Sequence, residues 1–378
     1  MQTNKLLYIA TSDIHLKGFH QPYIKWLTEQ EIQVDMAVEN RGNLVIPEIT
    51  HSHYLEFPRS LFKKQLFTSY KELKRIIDEG NYDIVHCHTP IPSMLTRLAS
   101  RRARRKGTKV LYTSHGFHFY KGGPLSRWFT YYLAEWFLSK FTDGIVTINQ
   151  EDFDTIQNKL WLHKDSFFIK GIGVDSSKFR PFDENERKKK RKELGLLQDD
   201  FVLLYVAEFI PRKNHQFILK TLPKLKAEIP QLKVLFAGKG ILEEQMKQLS
   251  KNLKIEEVVS FLGFRKDVPE LAAISDVGIS SSKHEGLGLG LTEEMFCKVP
   301  IVASYDRGHK EMIIQGETGF MFQQGNSEEF IEYINRLYLN NEQRITMGEK
   351  AYEKAQEFEI SNSLNSMIQI YRKYLTIQ

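Results

Sequence analysis

The chain has 378 residues, 41% hydrophobic and 26% charged, which is typical of folded domains and excludes a disordered or low-complexity protein. Its length favours two domains. Two cysteines, Cys87 and Cys297, are too few for a disulfide framework and indicate a reducing compartment. The N-terminal apolar run breaks at Ser12 and Asp13, unlike a signal peptide, and no apolar run reaches the roughly 20 residues of a membrane span. We therefore expect a cytoplasmic protein.

The net charge of +6 is concentrated in two basic clusters, at residues 101–106 and 188–192. Neither cluster is interleaved with aromatic residues or set in a nucleic-acid-binding module, so no nucleic-acid partner is expected. Phosphorylated metabolites or an anionic membrane surface would fit this charge. A solvated helix face explains each cluster equally well.

Short runs rich in Val, Ile, Leu and Tyr alternate with helical periodicity along the chain, which predicts an α/β protein built on parallel sheets. The predicted strands, in chain order, are 5–10, 33–38, 83–88, 109–114, 144–148, 167–170, 201–207, 232–237, 258–262, 276–280 and 300–303. Glycines after residue 170 and Pro181 interrupt the pattern. We therefore predict a first domain at 1–178 and a second at 179–359. The helical segment 360–378 is expected to pack back on the first domain.

Within the second domain, the helix-leading segment Ser281 to Met295 gives the sharpest signal. Its three glycines would let the backbone approach a ligand, and the amides of a helix starting near Gly290 would suit a diphosphate. Glu293 would accept hydrogen bonds from vicinal hydroxyls such as those of a ribose, and Glu285 would reach another part of the ligand. Helix capping and a tight turn are the structural alternatives. The pair of glutamates, after a strand and before a helix, favours a ligand site.

Glu285 and Glu293 also match an E-x7-E motif, by which the chain resembles the family 4 glycosyltransferases. Other segments that resemble this family, and its capsular and exopolysaccharide biosynthesis subgroup, are 82–90, 112–119, 142–152, 171–175, 261–268, 300–304, Glu311 and 316–320. The resemblance implies a GT-B fold, in which two Rossmann-like parallel-sheet domains face a cleft. It also implies a retaining, hexosyltransferase-type enzyme. Such an enzyme moves a sugar from a nucleotide-diphosphate sugar, commonly UDP-linked, to a glycan acceptor, commonly polyprenyl-diphosphate-linked.

The resemblance further implies roles for residues on the donor side. Glu293 would bind the donor ribose, Glu285 the hydroxyls of the transferred sugar, and Lys213 the diphosphate. Ala207-Glu208 replaces the family's usual Gly-Arg pair, so that Arg212 either substitutes for the missing arginine or is a solvent-facing charge. The full set of expected donor-binding residues is Arg212, Lys213, Gly263, Arg265, Gly288, Leu289, Gly290 and Glu293.

On the acceptor side, His115 matches a family histidine that follows a strand, and it is expected to touch the donor sugar or position the acceptor. His115 and Glu285 are thus the expected catalytic residues. Gly18, in the predicted loop after the first strand, and His118 complete the acceptor side. His86 and His88 are expected to face opposite sides of their strand.

No metal or other cofactor is expected, because cations and a helix N-terminus would hold the phosphates. Asp152-Phe-Asp154 reads as the D-x-D metal motif of the other major glycosyltransferase fold, but it falls in a predicted helix and should face solvent. The expected partners are a nucleotide sugar and a glycan or lipid-linked saccharide. A nucleotide-sugar epimerase and a non-catalytic nucleotide-sugar binder are the alternative functions on this fold.

A predicted helix near residues 125–137 carries two apolar rows. The first row is Leu125, Phe129, Leu133 and Phe137, and the second is Trp128, Tyr132 and Trp136. Core packing is favoured by about two to one for such a pattern. Shallow contact with the inner face of an anionic membrane is the alternative, to which the basic cluster at 101–106 would contribute.

Overall fold

The computed structural model describes residues 4–58, 64–159 and 165–375; the end of the predicted last helix, 376–378, lies outside this part. The chain divides into two compact units, Met1–Ile172 with Ser361–Gln378, and Gly173–Ile360. Gly171 and Gly173, on either side of this division, have φ angles of 70° and 84°. Glycine is favoured where the backbone takes such left-handed angles, which explains the interruption in the sequence pattern.

The first unit contains a seven-stranded parallel sheet, ordered β3-β2-β1-β4-β5-β6-β7. Its strands are β1 Lys5–Ser12, β2 Gln33–Glu39, β3 Ser52–Tyr54, β4 Ile84–His88, β5 Lys109–Ser114, β6 Gly144–Thr147 and β7 Asp165–Phe168. The central strands are buried on both faces, as parallel strands covered by helices should be. Six of the seven strands match predicted ones; β3 is a short edge strand without an apolar run.

Helices cover this sheet, and α1, α3 and α7 begin within three residues of the end of a strand. They are α1 Asp13–Glu29, α2 Gln65–Gly80, α3 Pro90–Ala99, α4 Arg101–Arg105, α5 Leu125–Arg127, α6 Leu133–Ser139, α7 Gln150–Lys159 and the last helix, α16 Ile360–Tyr374. A π-helical turn, Trp128–Tyr132, joins α5 to α6. Among the described residues, none of the helices is both long and apolar enough to cross a membrane.

Helix α1 starts directly at the end of β1, which contradicts the loop predicted around Gly18. The Ser12 side chain accepts a hydrogen bond from the His15 amide and caps the helix. Gly18 therefore lies inside α1, exposed, and a Cβ atom added to it would meet no neighbouring atom within 4 Å. The expected glycine-rich turn at this point is absent, and Gly18 has no close approach to explain it.

The second unit contains a six-stranded parallel sheet, ordered β10-β9-β8-β11-β12-β13. Its strands are β8 Phe201–Val206, β9 Leu232–Ala237, β10 Val259–Gly263, β11 Val277–Ser280, β12 Ile301–Ser304 and β13 Gly319–Phe322. The helices of this unit are α8 Glu184–Glu193, α9 His215–Glu228, α10 Glu243–Asn252, α11 Val268–Ile274, α12 Leu289–Phe296, α13 His309–Met312, α14 Ser327–Leu339 and α15 Asn341–Ala355. Only edge strand β13 was not predicted; it is four residues long and begins with a glycine.

Each unit has its own apolar core around its sheet. In the first unit a buried ion pair joins two helices: Arg97 of α3 donates to both carboxylate oxygens of Glu135 on α6, at 2.6 and 3.0 Å. A charge removed from water is stable only with such close pairing. The pair therefore fixes α6, and the aromatic segment before it, against α3.

The two apolar rows of the aromatic segment separate in the structure. The second row, Trp128, Tyr132 and Trp136, packs against the core of the first unit. The first row is exposed, with solvent-accessible fractions of 75% for Leu125, 70% for Phe129, 51% for Leu133 and 46% for Phe137. The core-packing interpretation is thus wrong for the first row, because the ion pair and the aromatic row turn it outward.

The two basic clusters differ as well. At residues 101–106 the arginines are exposed except Arg104, which pairs with Asp143 at 2.7 Å. At residues 188–192, by contrast, three side chains form ion pairs within the second unit: Lys188 with Glu184, Lys190 with Asp267 and Arg191 with Asp276. The second cluster is therefore mainly a stabilising network of the second unit, whereas the first leaves basic charge at the surface.

Candidate functional site

A glycine-rich loop, residues 281–288, connects β11 to α12. Gly288 ends it with a φ angle of 109° and precedes the first residue of α12. A Cβ atom at Gly288 would lie 3.2 Å from the ring of His309, and one at Gly290 would lie 3.4 Å from the carbonyl oxygen of Val206. The N-terminus of α12 is thus packed closely against the end of β8. The amides in the first turn of such a helix have no intrahelical hydrogen-bond partners and therefore favour anions.

The carboxylate of Glu285 holds two cations at this loop. Its Oε2 accepts from Arg212 at 2.6 Å, and its Oε1 pairs with the Lys213 ammonium. Burial alone would raise the pKa of Glu285, but the Lys213 and Arg212 charges hold it at about 2. Glu285 is therefore ionised at neutral pH, and the two cations are positioned by one carboxylate.

This geometry bears on the two interpretations of Arg212. The Arg212 side chain also donates to the His284 carbonyl oxygen at 2.9 Å, and the Arg212 carbonyl accepts from the Lys283 amide at 2.8 Å. The segment after β8 is thus bonded to the glycine-rich loop through side chain and backbone. Arg212 is a fixed neighbour of Lys213 and does not extend alone into solvent.

The next strand end contributes a support that the sequence analysis missed. Asp306, after β12, accepts hydrogen bonds from the amides of Glu285 and Gly308, each at 2.9 Å. Arg307 donates to the Glu285 carbonyl oxygen at 3.3 Å. These residues therefore anchor the backbone that carries Glu285. Asp306 lies two residues after β12 ends at Ser304, and its position near a strand end is the only signal that the sequence offers for it.

Glu293 and Glu294 lie on α12 in different surroundings. Glu293 is partly exposed, and burial of its carboxyl raises its pKa to about 7. Glu294 is fully buried, its carboxylate has no hydrogen-bond partner, and burial raises its pKa well above the usual value. A Cβ at Gly278 would overlap the Glu294 carboxyl, 1.8 Å away. Glu294 thus belongs to the interior of the unit, and Glu293 is the glutamate of α12 that a ligand can reach.

Gly263 is the last residue of the edge strand β10, and Arg265 lies two residues after it. Gly263 has a φ angle of 65°, which favours glycine. Arg265 forms a two-point ion pair with Asp267, at 2.7 and 2.5 Å, which holds the pKa of Asp267 at about 2. Arg265 is therefore a fixed, partly buried group at this edge of the second sheet.

In the first unit, His115 follows β5 and His118 stacks on Tyr131, with ring centroids 4.8 Å apart. The segment between them is held by Asp152, which is buried and accepts from the Phe117 amide at 2.9 Å. The expectation that both carboxylates of Asp152-Phe-Asp154 face solvent is therefore wrong for Asp152, because it anchors the turn after β5.

His115 belongs to an imidazole cluster, which we define as His15, His20, His86, His88 and His115. Centroids of neighbouring rings lie as close as 4.0 Å for His20 and His88 and 4.2 Å for His86 and His88. The prediction of opposite faces for His86 and His88 is wrong, since residues i and i+2 of a strand share a face. Burial lowers the pKa of His15 to about 4 and that of His115 well below its usual value, so these rings are neutral at neutral pH.

Comparison with known proteins identifies the chain's family. Residues 186–354 match the family model for glycosyl transferases group 1, and residues 5–149 match a glycosyl transferase 4-like model. A putative glycosyltransferase of Bacillus subtilis, EpsD, is 39% identical over 373 residues, which cover 99% of this chain and 97% of EpsD. The chain belongs to the family 4 glycosyltransferases.

Two further proteins are similar to this family 4 glycosyltransferase over most of its length. One is a protein of Escherichia coli, named as a UDP-Gal:α-D-GlcNAc-diphosphoundecaprenol α-1,3-galactosyltransferase. It is 28% identical over 278 residues, which cover 72% of this chain and 70% of the length of that protein. HepE of Anabaena, crystallised with UDP and glucose, superposes with a TM-score of 0.81 at 20% identity, covering 98% of this chain and 100% of HepE. The fold is the two-domain GT-B fold, and the subgroup is that of exopolysaccharide synthesis.

Proposed function

We propose that this enzyme transfers a sugar, with retention of anomeric configuration, from a UDP-sugar to a polyprenyl-diphosphate-linked saccharide. One observation carries the donor half of the proposal: Arg212 and Lys213 are held together by Glu285 beside the head of α12. The UDP and the lipid-diphosphate acceptor are supported by what the Escherichia coli relative is said to use and by the UDP bound to HepE.

The donor diphosphate would lie against Arg212, Lys213 and the first amides of α12. Transfer breaks the bond between the anomeric carbon and the β-phosphate oxygen, so negative charge grows on the leaving diphosphate. Cations already fixed at that position stabilise this charge without having to reorganise. Arg212 would thereby take the part of the arginine that Glu208 replaces.

The two glutamates would hold the two ends of the donor. Glu293, ionised, accepts hydrogen bonds from the ribose hydroxyls, while Glu285 contacts hydroxyls of the transferred sugar and keeps both cations in place. In a retaining reaction the acceptor oxygen bonds to the same face of the sugar that the phosphate leaves, and the leaving phosphate oxygen takes the acceptor's proton. No enzyme nucleophile is assigned, and Glu285 is a binding and positioning group.

His115 would act with the acceptor or the transferred sugar. As a neutral imidazole after β5, it has one ring nitrogen that donates a hydrogen bond and one that accepts, and either kind of bond can be made to a sugar hydroxyl. His118, which stacks on Tyr131 next to the exposed aromatic segment, would line the approach of the saccharide. No metal is assigned to the phosphate contacts, because Arg212, Lys213 and the N-terminal amides of α12 would bind the diphosphate.

We also propose that the exposed row Leu125, Phe129, Leu133 and Phe137 docks on an anionic membrane at its cytoplasmic face. The row is apolar, and the basic residues of 101–106 lie beside it: Arg101 stacks on Phe141 at 5.6 Å, and Arg104 donates to the Lys140 carbonyl at 3.2 Å. Apolar side chains flanked by basic charge are what a surface of anionic lipids binds. A lipid-linked acceptor would be presented at that surface.

The membrane proposal predicts a specific loss of vesicle binding. Full-length protein should sediment with vesicles containing anionic lipid at low salt, and the double variant Phe129→Ser, Phe137→Ser should bind at least about tenfold more weakly, since each buried phenylalanine contributes about 1.5–3 kcal/mol. Phe67→Ser is the matched control, because Phe67 is a comparably exposed phenylalanine on α2. Wild-type protein that ignores these vesicles, or a double variant that binds like wild type, would contradict the proposal.

The transferase proposal is tested by incubating the full chain with a panel of nucleotide sugars and a polyprenyl-diphosphate-linked saccharide. A glycosylated lipid formed from a UDP-sugar, with the donor's anomeric configuration in its NMR spectrum, supports all parts of the proposal. An isomerised donor without transfer would indicate an epimerase, and tight donor binding without turnover would indicate a binding protein. Either of these outcomes rejects the transferase, and an inverted product rejects retention.

A further inference from the structure

Several ring nitrogens of the imidazole cluster are buried without a hydrogen-bond partner. His86 is fully used: its Nδ1 is bonded to the Tyr371 hydroxyl and its Nε2 to the Thr113 hydroxyl, both at 2.8 Å. By contrast, the Nε2 atoms of His15, His20 and His115 and both ring nitrogens of His88 are buried and have no hydrogen-bond partner. Buried polar atoms are rarely left unpaired, because they lose their bonds to water without replacement.

Three of these four rings, His15, His20 and His115, form a group that comes from two places in the sequence. Helix α1 contributes His15 and His20, and the turn after β5 contributes His115. One ring nitrogen from each of the three lies within 4.8 Å of the other two, and in the part of the chain that the structure describes no other group of histidine, cysteine or carboxylate side chains meets this condition. The helix cap at Ser12 and the Asp152 anchor fix the backbone on both sides.

We propose that His15, His20 and His115 bind a zinc ion. Neutral imidazole is the form that binds metal, and zinc takes nitrogen ligands at about 2.0–2.1 Å in tetrahedral geometry, which places ligand nitrogens about 3.3 Å apart. The three nitrogens lie within 4.8 Å of one another, so the rings must move closer together when the ion binds. Three protein ligands leave the fourth position of the ion open for water or an anionic oxygen.

This zinc site differs from the metal motif considered in the sequence. Asp152-Phe-Asp154 contributes no ligand, since Asp152 is bonded to backbone and Asp154 is exposed. Imidazoles without carboxylates also disfavour magnesium and calcium, which prefer oxygen ligands. The zinc proposal shares His115 with the transferase proposal, but zinc binding is measured without turnover, so that each proposal can fail alone.

Zinc titration of the full, untagged chain tests this inference. After chelator treatment and removal of the chelator, isothermal titration should give one zinc ion per chain, and zinc should raise the thermal unfolding midpoint. His15→Gln and His115→Gln should each weaken zinc binding by at least about 100-fold, because even outer contacts of a metal ligand change affinity by about 10–100-fold. Their unfolding midpoints should no longer respond to zinc.

His51→Gln is the matched control, because His51 is a largely exposed histidine of the same unit outside the cluster. It should bind zinc like wild type. The proposal is overturned if chelator-treated wild-type protein takes up no zinc at stoichiometric concentration, an outcome that does not depend on how well any variant folds. It is also overturned if His15→Gln or His115→Gln binds zinc with wild-type affinity, or if His51→Gln loses binding.

Discussion

Replacing Glu285 with alanine is expected to lower kcat about 100- to 1,000-fold, the range found when a preorganised electrostatic contact to a transition state is removed. The carboxylate is the shared partner of Arg212 and Lys213 and is itself anchored through its backbone by Asp306. Its loss would release both cations from their fixed positions and remove contacts to the transferred sugar. Steady-state kinetics of sugar transfer measure the effect.

Affinity for the nucleoside diphosphate should change much less in this variant, by under about tenfold, because both cations remain available to the phosphates. Glu332→Ala is the control, since Glu332 is an exposed glutamate in the middle of α14; it should leave kcat and affinity unaltered. A Glu285→Ala enzyme with full kcat, or one whose only defect is weak nucleotide binding, would show that the carboxylate has a different role.

The Glu293→Ala variant is expected to bind the nucleotide about 10- to 100-fold more weakly, since hydrogen bonds to a charged group contribute about 1.5–3 kcal/mol. The loss should come from the ribose and should leave the diphosphate contacts of Lys213 in place. Isothermal titration of the nucleoside alone and of the nucleoside diphosphate separates these contributions. Wild-type affinity in this variant would remove Glu293 from the site.

Glu293 should also make nucleotide binding pH-dependent. Burial raises the pKa of its carboxyl to about 7, so the carboxyl is protonated below that pH and ionised above it. The ionised form accepts from both ribose hydroxyls, and affinity for the donor should therefore rise between pH 6 and pH 8. A nucleotide sugar is the better ligand for this titration, because it has no terminal phosphate that titrates in the same range. Glu293→Gln should abolish the rise; an unchanged pH profile in that variant would contradict the assignment.

The sequence predicted eleven of the strands, and most of these are buried on both faces and therefore read as continuous apolar runs. The exceptions are β7 and β10, which are partly exposed. The two missed strands, β3 and β13, lie at sheet edges, where a strand of three or four residues leaves little pattern. Gly18 was misplaced for a local reason: the Ser12 cap starts α1 at once, so no loop remains.

At the candidate site, spacing predicted which residues follow the strands but not what they contact. Glu285 and Glu293 come from one short segment, yet one is ionised by two cations and the other has its pKa raised by burial. Arg212 could only be placed once the backbone bonds between its loop and the glycine-rich loop were seen. Asp306 lies in the loop after β12, 21 residues beyond Glu285, and the spacing between the two does not show that Asp306 accepts from the Glu285 amide.

The first unit shows the same limit. The aromatic row of Trp128, Tyr132 and Trp136 and the exposed row beside it have equal apolar periodicity, and only the Arg97–Glu135 ion pair with its packing decides which one faces inward. The imidazole cluster likewise combines helix α1 with the ends of β4 and β5, which sheet order alone brings together.

The central claim is that a donor diphosphate binds beside Arg212 and Lys213, which both pair with Glu285. The most direct test measures the transfer of labelled sugar from a UDP-sugar to a polyprenyl-diphosphate-linked saccharide. Wild-type enzyme should yield labelled lipid that retains the donor's anomeric configuration, and Glu285→Ala should yield it at the reduced rate given above. Absence of labelled lipid with every donor of the panel, or equal rates for the two proteins, would contradict the account.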